Sequence, residues 1–280
     1  MIRTESPARP ASPATPAEST WDTGSHDDFF SYYAQQSLTP QAQERFRTLA
    51  RMLLRVAAQG GKTGPLDVLD IGCGAGAQAQ IWLDLGHRYR GLDINRPLIE
   101  LASQRARQLK LQAEFDVGSA TELPYATASS DLCVMPFLLE HVAAWQASVD
   151  EALRVVRPGG LVFISTTSKL CPAQDEFRLP AYGWYPPPLK RYFERRAVTD
   201  WPAVVNHAKY PAVHWFSPYQ LGRYLRDRGC QTFDRFDVMD TASKSPQVRA
   251  ALGVVRNFAP ARFLGHVFTP YTLVVGRKAG

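Results

Sequence analysis

The sequence predicts an α/β protein: a seven-stranded, mostly parallel sheet with helices on both faces, capped by insertions. Three observations predict it. Between residues 67 and 167, short apolar runs alternate with segments long enough for crossover helices. The first run ends in an acid followed by closely spaced glycines, "VLDIGCGAGAQAQ" at 68–80, as expected where a strand turns tightly into a helix. The length of 280 residues leaves room for one large α/β domain with insertions.

The elements follow in order. Residues 1–20 carry Pro7, Pro10, Pro13 and Pro16 among Ala, Ser and Thr, a composition that buries no core and reads as a disordered tail. Residues 21–64 hold two helices, "HDDFFSYYAQQ" and "QAQERFRTLARMLLRVAAQ", the second amphipathic through Phe46, Leu49, Leu53 and Val56. They form a candidate lid, in which Tyr32 and Tyr33 either close over a ligand or pack the helix. The core at 65–167 reads strand "DVLDI", a helix to about Leu85, strand "YRGLDI" and helix "RPLIELASQRARQL", whose Leu98, Ile99, Ala102 and Ala106 share a face. Strands "QAEFDV" and "DLCVMPF" follow, then helix "WQASVDEALRVV" stopped by Pro158, then strand "GGLVFIST". Residues 168–216, rich in proline and aromatics, break the rhythm and form a cap insertion. In 217–280, Ser217-Pro218 opens a helix and Gly229 marks its stop. "QTFDRFDVMDT" and "YTLVVGRK" are the closing strands, separated by an insertion at about 243–269.

Composition excludes several classes. Hydrophobic residues make up 45% and charged residues 21%, as in soluble globular chains. No apolar run reaches the ~18 residues of a membrane span, and no signal pattern opens the chain, so a cytoplasmic location is expected. Cys73, Cys133, Cys171 and Cys230 lie far apart without metal-finger spacing, which argues against a disulfide framework or a metal site. The net charge of +6 permits anionic partners, but no basic stripe or RNA module points to nucleic acid.

Ligands of parallel sheets sit beyond the carboxyl ends of the strands, where the strand order reverses. Gly72, Gly74 and Gly76 lie at such an end; they either cradle a ligand or merely make the turn. Asp93 ends the second strand, where a carboxylate accepts hydrogen bonds from a ribose diol, each worth ~1.5–3 kcal/mol. Ser119 and Ala120 follow the third strand.

The motifs "DIGCGAG" and "LRVVRPGG", with "GLDIN" and "VGSATELPY" between them, resemble the class I S-adenosylmethionine-dependent methyltransferases, in the branch of the ubiquinone and menaquinone methyltransferases. The resemblance covers residues 65–167 firmly and 217–279 loosely. It implies a Rossmann-like fold and S-adenosyl-L-methionine as cofactor. Asp70, Gly72, Cys73, Gly74 and Gly76 would face its methionine part, Asp93 its ribose, Ile94 its adenine face and Ser119 and Ala120 the adenine edge. Pro136 and Phe137 would line the methionine side. The family often has Asp where this chain has Ser119. The alternatives are a cofactor-binding partner or sensor without catalysis, and an NAD(P)-dependent oxidoreductase, which would want its third glycine at Ala77.

Methyl transfer to a phenol or alcohol needs a proton acceptor, most often His. His141, His207 and His214 are the candidates; each alternatively serves structure alone. The expected acceptor is a small or lipid-like molecule, methylated on oxygen. Aromatic and basic residues mixed in "WYPPPLKRYFERR" and in the second insertion suit either a substrate cap or peripheral contact with a membrane.

Overall fold

The computed structural model describes residue 35 and residues 37–173, 177–204, 214–241 and 244–280. The tail at 1–20, all but Gln35 of the first N-terminal helix, Tyr32 and Tyr33 included, and His207 lie outside the described residues.

Strands β1 (Asp67–Ile71), β2 (Arg88–Asp93), β3 (Ala113–Val117), β4 (Ser130–Pro136), β5 (Val156–Thr167), β6 (Cys230–Asp234) and β7 (Tyr271–Lys278) form one sheet. Its order is β3-β2-β1-β4-β5-β7-β6. The pairs from β3 through β5 are parallel, while β7 runs antiparallel between β5 and β6. The strand order reverses between β1 and β4, so their carboxyl ends open a crevice.

Helices cover both faces. α1 (Pro40–Gln59) is N-capped by Thr39 and buries Ala50, Leu53, Val56 and Ala57. These pack with Val68, Trp82, Leu132, Phe163 and Val275 into one core. α2 (Ala79–Asp84) contributes Trp82 to it. α3 (Arg96–Gln108) starts at Asn95, whose side chain accepts from the Leu98 amide, and buries the four residues its periodicity predicts. α4 (Trp145–Val155) and α6 (Pro218–Arg226, capped by Ser217) close the opposite face through Val149, Ala152, Leu221 and Leu225.

Two boundaries differ from the sequence reading. Pro158 does not stop α4: the chain enters β5 at Val156, and "RPGG" lies inside that strand. "QTFDRFDVMDT" is a strand only to Asp234. There the Asp234 side chain caps α7 (Arg235–Val238), and the Asp237 carboxylate accepts from the Asp234 amide, a reciprocal box that turns the chain helical. The second insertion folds as α8 (Pro246–Asn257) and α9 (Ala259–Val267). The cap contains α5 (Pro187–Val198).

An ion-pair cluster ties the amino edge of the sheet. Lys62 and Arg157 both pair with Asp131, at 2.7 and 2.8 Å, and Arg157 and Arg88 both pair with Asp67, at 2.7 and 2.5 Å. Burial pushes the Asp131 carboxyl up, but Lys62, the Asp67 amide and Arg157 outweigh it and hold the group below its ordinary value.

Candidate cofactor and acceptor site

At the carboxyl end of β1, Gly72, Gly74 and Gly76 take φ of +78°, +53° and +71°, a conformation that favours glycine. A Cβ on Gly72 would stand 2.9 Å from Leu138 Cδ1, and one on Gly76 would stand 2.7 Å from the Phe115 ring. The loop is therefore wedged between the segment after β4 and the third strand. Its Gly72 and Cys73 amides donate to the Leu92 carbonyl at 2.7 and 3.1 Å.

Asp93 fixes the same loop from β2. Its Oδ2 accepts from the Gly74 amide and its Oδ1 from the Asn95 amide, both at 2.8 Å. A carboxylate offers about four acceptor positions, so these bonds leave room for further donors. Burial raises its pKa, and the Asn95, Gly74 and Ile94 amides oppose the rise. The next side chain, Ile94, stands exposed beside it.

Asp70 lies beneath the loop, 1% exposed. Its Oδ2 accepts from Gln78 Nε2 at 2.9 Å and from the Tyr89 hydroxyl at 2.8 Å. Its Oδ1 and the neighbouring Gln78 Oε1 are buried with no hydrogen-bond partner among the described residues. Burial drives the Asp70 pKa up to about 7. Burial also pushes the Cys73 thiol far up, with Asp93 and Asp70 adding to it, so the sulfur is protonated and inert.

After β3, the Ser119 hydroxyl accepts from the Thr121 amide at 3.1 Å and lies 2.7 Å from Thr121 Oγ1. Ala120 packs beside it against the core. After β4, Pro136 is half-buried and Phe137 is exposed with φ of +53°. The Phe137 amide donates to the Ser165 carbonyl at 2.8 Å, and its ring meets Tyr271 edge-on at 5.1 Å.

A short 3-10 turn at Leu139–His141 follows. Glu140 lies in it and is fully buried. Its carbonyl accepts from the His214 amide at 3.2 Å, and the His214 ring Nε2 lies 3.2 Å from the Ala143 carbonyl. The structure thus brings His214, on the far side of the cap insertion, to the same loop as His141. Burial lowers the His141 pKa to about 4, so its imidazole is neutral at physiological pH.

The chain from His214 to Phe216 is a strap across the ends of β5 and β7. Lys169 and Phe216 exchange backbone bonds with Phe216 and Thr167, and Thr272 Oγ1 donates to the Phe216 carbonyl at 2.7 Å. No sequence signal marks this tie; it depends on contacts between residues some 50 positions apart. The cap has a small core of its own, in which Phe177 stacks on Tyr182 at 3.9 Å and Trp215 packs edge-on against Tyr182. No group of His, Cys, Asp and Glu among the described residues is arranged to hold a metal ion.

Residues 69–164, from β1 to near the end of β5, match the family described as "Methyltransferase domain". Among curated relatives, an uncharacterized methyltransferase of Mycolicibacterium gilvum is 37% identical over 116 residues, 41% of this chain and 45% of the relative. The ubiquinone biosynthesis O-methyltransferase of Agrobacterium fabrum is 33% identical over 109 residues, 39% and 44% of the two chains. The malonyl-[acyl-carrier protein] O-methyltransferase of Pseudescherichia vulneris is 36% identical over 138 residues, 48% and 50%. The matched stretch spans half or less of the length of each of these relatives. A solved structure from Galdieria sulphuraria, provisionally named a sarcosine dimethylglycine methyltransferase, superposes with a TM-score of 0.50 at 18% identity, covering 82% of this chain and 84% of that one. That likeness is one of fold.

Proposed function

We propose, from the premise that residues 69–164 are a class I S-adenosylmethionine-dependent methyltransferase domain, that this chain methylates an oxygen of a small or lipid-like acceptor held under the cap. The observation that carries the proposal is the glycine loop locked onto Asp93 at the point where the strand order reverses. S-adenosylmethionine, when bound, supplies an activated methyl group on a sulfonium that leaves as a neutral thioether.

The residues present fit that cofactor. The Asp93 carboxylate has acceptor positions left over for a diol, and exposed Ile94 offers an apolar face to a base. The orphaned Asp70 Oδ1 is a buried acceptor that an ammonium group or a water would satisfy. Phe137 and Pro136 line the same crevice from β4. The Ser119 hydroxyl, already engaged by Thr121, leaves the Ala120 backbone as the better partner for an adenine edge.

His141 is the first candidate for a proton acceptor and His214 the second, with His207 third on sequence grounds. A neutral His141 accepts a proton or a hydrogen bond from an acceptor hydroxyl throughout the neutral range. Its depressed pKa makes it a weak base, better suited to holding a hydroxyl in line than to ionising it fully. The strap through His214 keeps both histidines on one loop.

The test follows methyl transfer from labelled cofactor to a panel of phenols, alcohols, carboxylic acids and amines, lipid-linked and free. The proposal expects product on oxygen. His141→Ala should lower kcat by about 10²–10⁴-fold at neutral pH, a loss that shrinks at high pH if the acceptor is a phenol. Methylation of amines alone would overturn the oxygen assignment. Cofactor binding without transfer to any class would favour the partner or sensor alternative.

A further inference from the structure

The second insertion, outside the stretch matched to the methyltransferase domain, ends in a helical hairpin whose outer surface is apolar. On α8, Val248, Ala251 and Val254, with Phe258 at its C-terminal cap, recur at three- and four-residue spacing and are all exposed. On α9, Phe263 and Leu264 continue the exposed surface, and Phe268 just beyond is 79% exposed. The opposite sides are the ones that pack: Leu252 and His266 are buried. The hairpin is held firmly. His266 Nε2 lies 2.9 Å from Asp234 Oδ2, Arg262 Nε donates to the same oxygen at 2.7 Å, and Arg262 also pairs with Asp237. Burial raises Asp234, but His266 and Arg262 prevail and hold its pKa at about 2, so the clamp is charged.

Charge identifies the occupant of this surface. Residues 244–280 contain no Asp or Glu, against six Lys and Arg. Arg249 has no acidic partner among the described residues; it lines a cleft of about 290 Å³ with Arg55, Arg256 and Met239 and with Asp237 and Asp240, which pair with Arg262 and Arg55. Arg256 donates to the Phe236 and Met239 carbonyls and has no carboxylate within ion-pair distance among the described residues. Two copies of such a face would meet with like charges. An anionic bilayer offers apolar depth for the stripe and phosphate for the guanidinium groups.

We infer that the α8–α9 hairpin docks this protein onto an anionic lipid bilayer, its phenylalanines entering the headgroup boundary and Arg249 meeting lipid phosphate. Its purpose rests on the methyl-transfer reading, with a lipid-like acceptor; the contact itself does not. The position suits that purpose. Phe268 leads directly into Thr269, Pro270 and Tyr271, and the Tyr271 ring touches Phe137 at the crevice.

The experiment is flotation of the full chain with phosphatidylglycerol-containing vesicles and with pure phosphatidylcholine vesicles. Enrichment on the anionic vesicles, released by high salt, is expected. Arg249→Glu should weaken partitioning about fivefold per unit of charge lost. The double variant Phe258→Ser, Phe268→Ser should weaken it at least about tenfold, with melting temperature and cofactor affinity unchanged because both rings are exposed. Should that variant fold poorly, Val254→Ser with Arg249→Glu tests the same surface.

Equal or absent binding to the two vesicle types would overturn the inference, as would wild-type binding by the variants. So would a wild-type dimer that the serine variants convert to monomer, since the stripe would then be a self-association face. Vesicle binding by a chain that takes up no cofactor would sink the methyl-transfer reading alone. Transfer to a soluble acceptor without vesicle binding would sink the hairpin inference alone.

Discussion

Asp70 is the residue whose environment departs furthest from what its position in a motif suggests. It carries a pKa near 7 under the glycine loop because burial outweighs its bonds from Tyr89 and Gln78. A carboxyl whose folded pKa is raised contributes fully to stability below the unfolded value near 4, and that contribution is lost as pH climbs through about 7. Asp70→Asn, which cannot ionise, should therefore come closest to wild type below about pH 4 and melt higher at pH 8, by roughly 2–4 °C per kcal/mol recovered. Melting curves at the two pH values check this; a variant less stable at both would mean the carboxylate is needed ionised. His141 has the opposite sign. Its folded pKa of about 4 lies below the unfolded value near 6.5, so its stabilising neutrality is lost as pH falls from about 6.5 toward 4. Turnover should consequently show no His141 ionisation between pH 6 and 8. An inflection near 6.5 that vanishes in His141→Ala would contradict the depressed value.

The glycine loop and the strap are the elements that build the crevice, and they differed in how far the sequence revealed them. "DIGCGAG" was legible because a left-handed backbone at Gly72, Gly74 and Gly76 restricts the residue type, and type is what a sequence displays. Gly76→Ala would strain that backbone and press a Cβ against Phe115, so it should cost about 1–3 kcal/mol and weaken cofactor binding. Denaturant titration with parallel calorimetry measures both. The strap from His214 to Phe216 was not legible, because backbone bonds to Thr167 and Lys169 are available to any residue. The helix of α7 was half legible: the acids at Asp234 and Asp237 are a capping pair, but a β-like run around them hid it. Burial of Glu140 had no local signal either. Trp215 sits in the cap's own core, with Phe177 and Tyr182. Trp215→Ala should therefore loosen the cap and raise the acceptor KM while sparing cofactor affinity.

At the scale of the molecule, the two edges of the sheet divide the work. The amino edge is cross-linked by Asp67, Asp131, Lys62, Arg88 and Arg157, while the carboxyl edge carries the glycine loop, Asp93, His141 and His214. Asp131→Ala, which leaves Lys62 and Arg157 facing each other half-buried, should lower the melting temperature by several degrees without changing cofactor affinity. The central claim concerns the other edge, that Asp93 and the loop it locks hold S-adenosylmethionine. Calorimetric titration of wild type and Asp93→Ala with S-adenosylmethionine and its demethylated product tests it most directly. Micromolar-range binding by wild type and a loss of one to two decades in Asp93→Ala are expected, since about 1.5–3 kcal/mol rests on a charge-assisted bond. No heat from wild type, or equal affinity in a folded Asp93→Ala, would contradict the account.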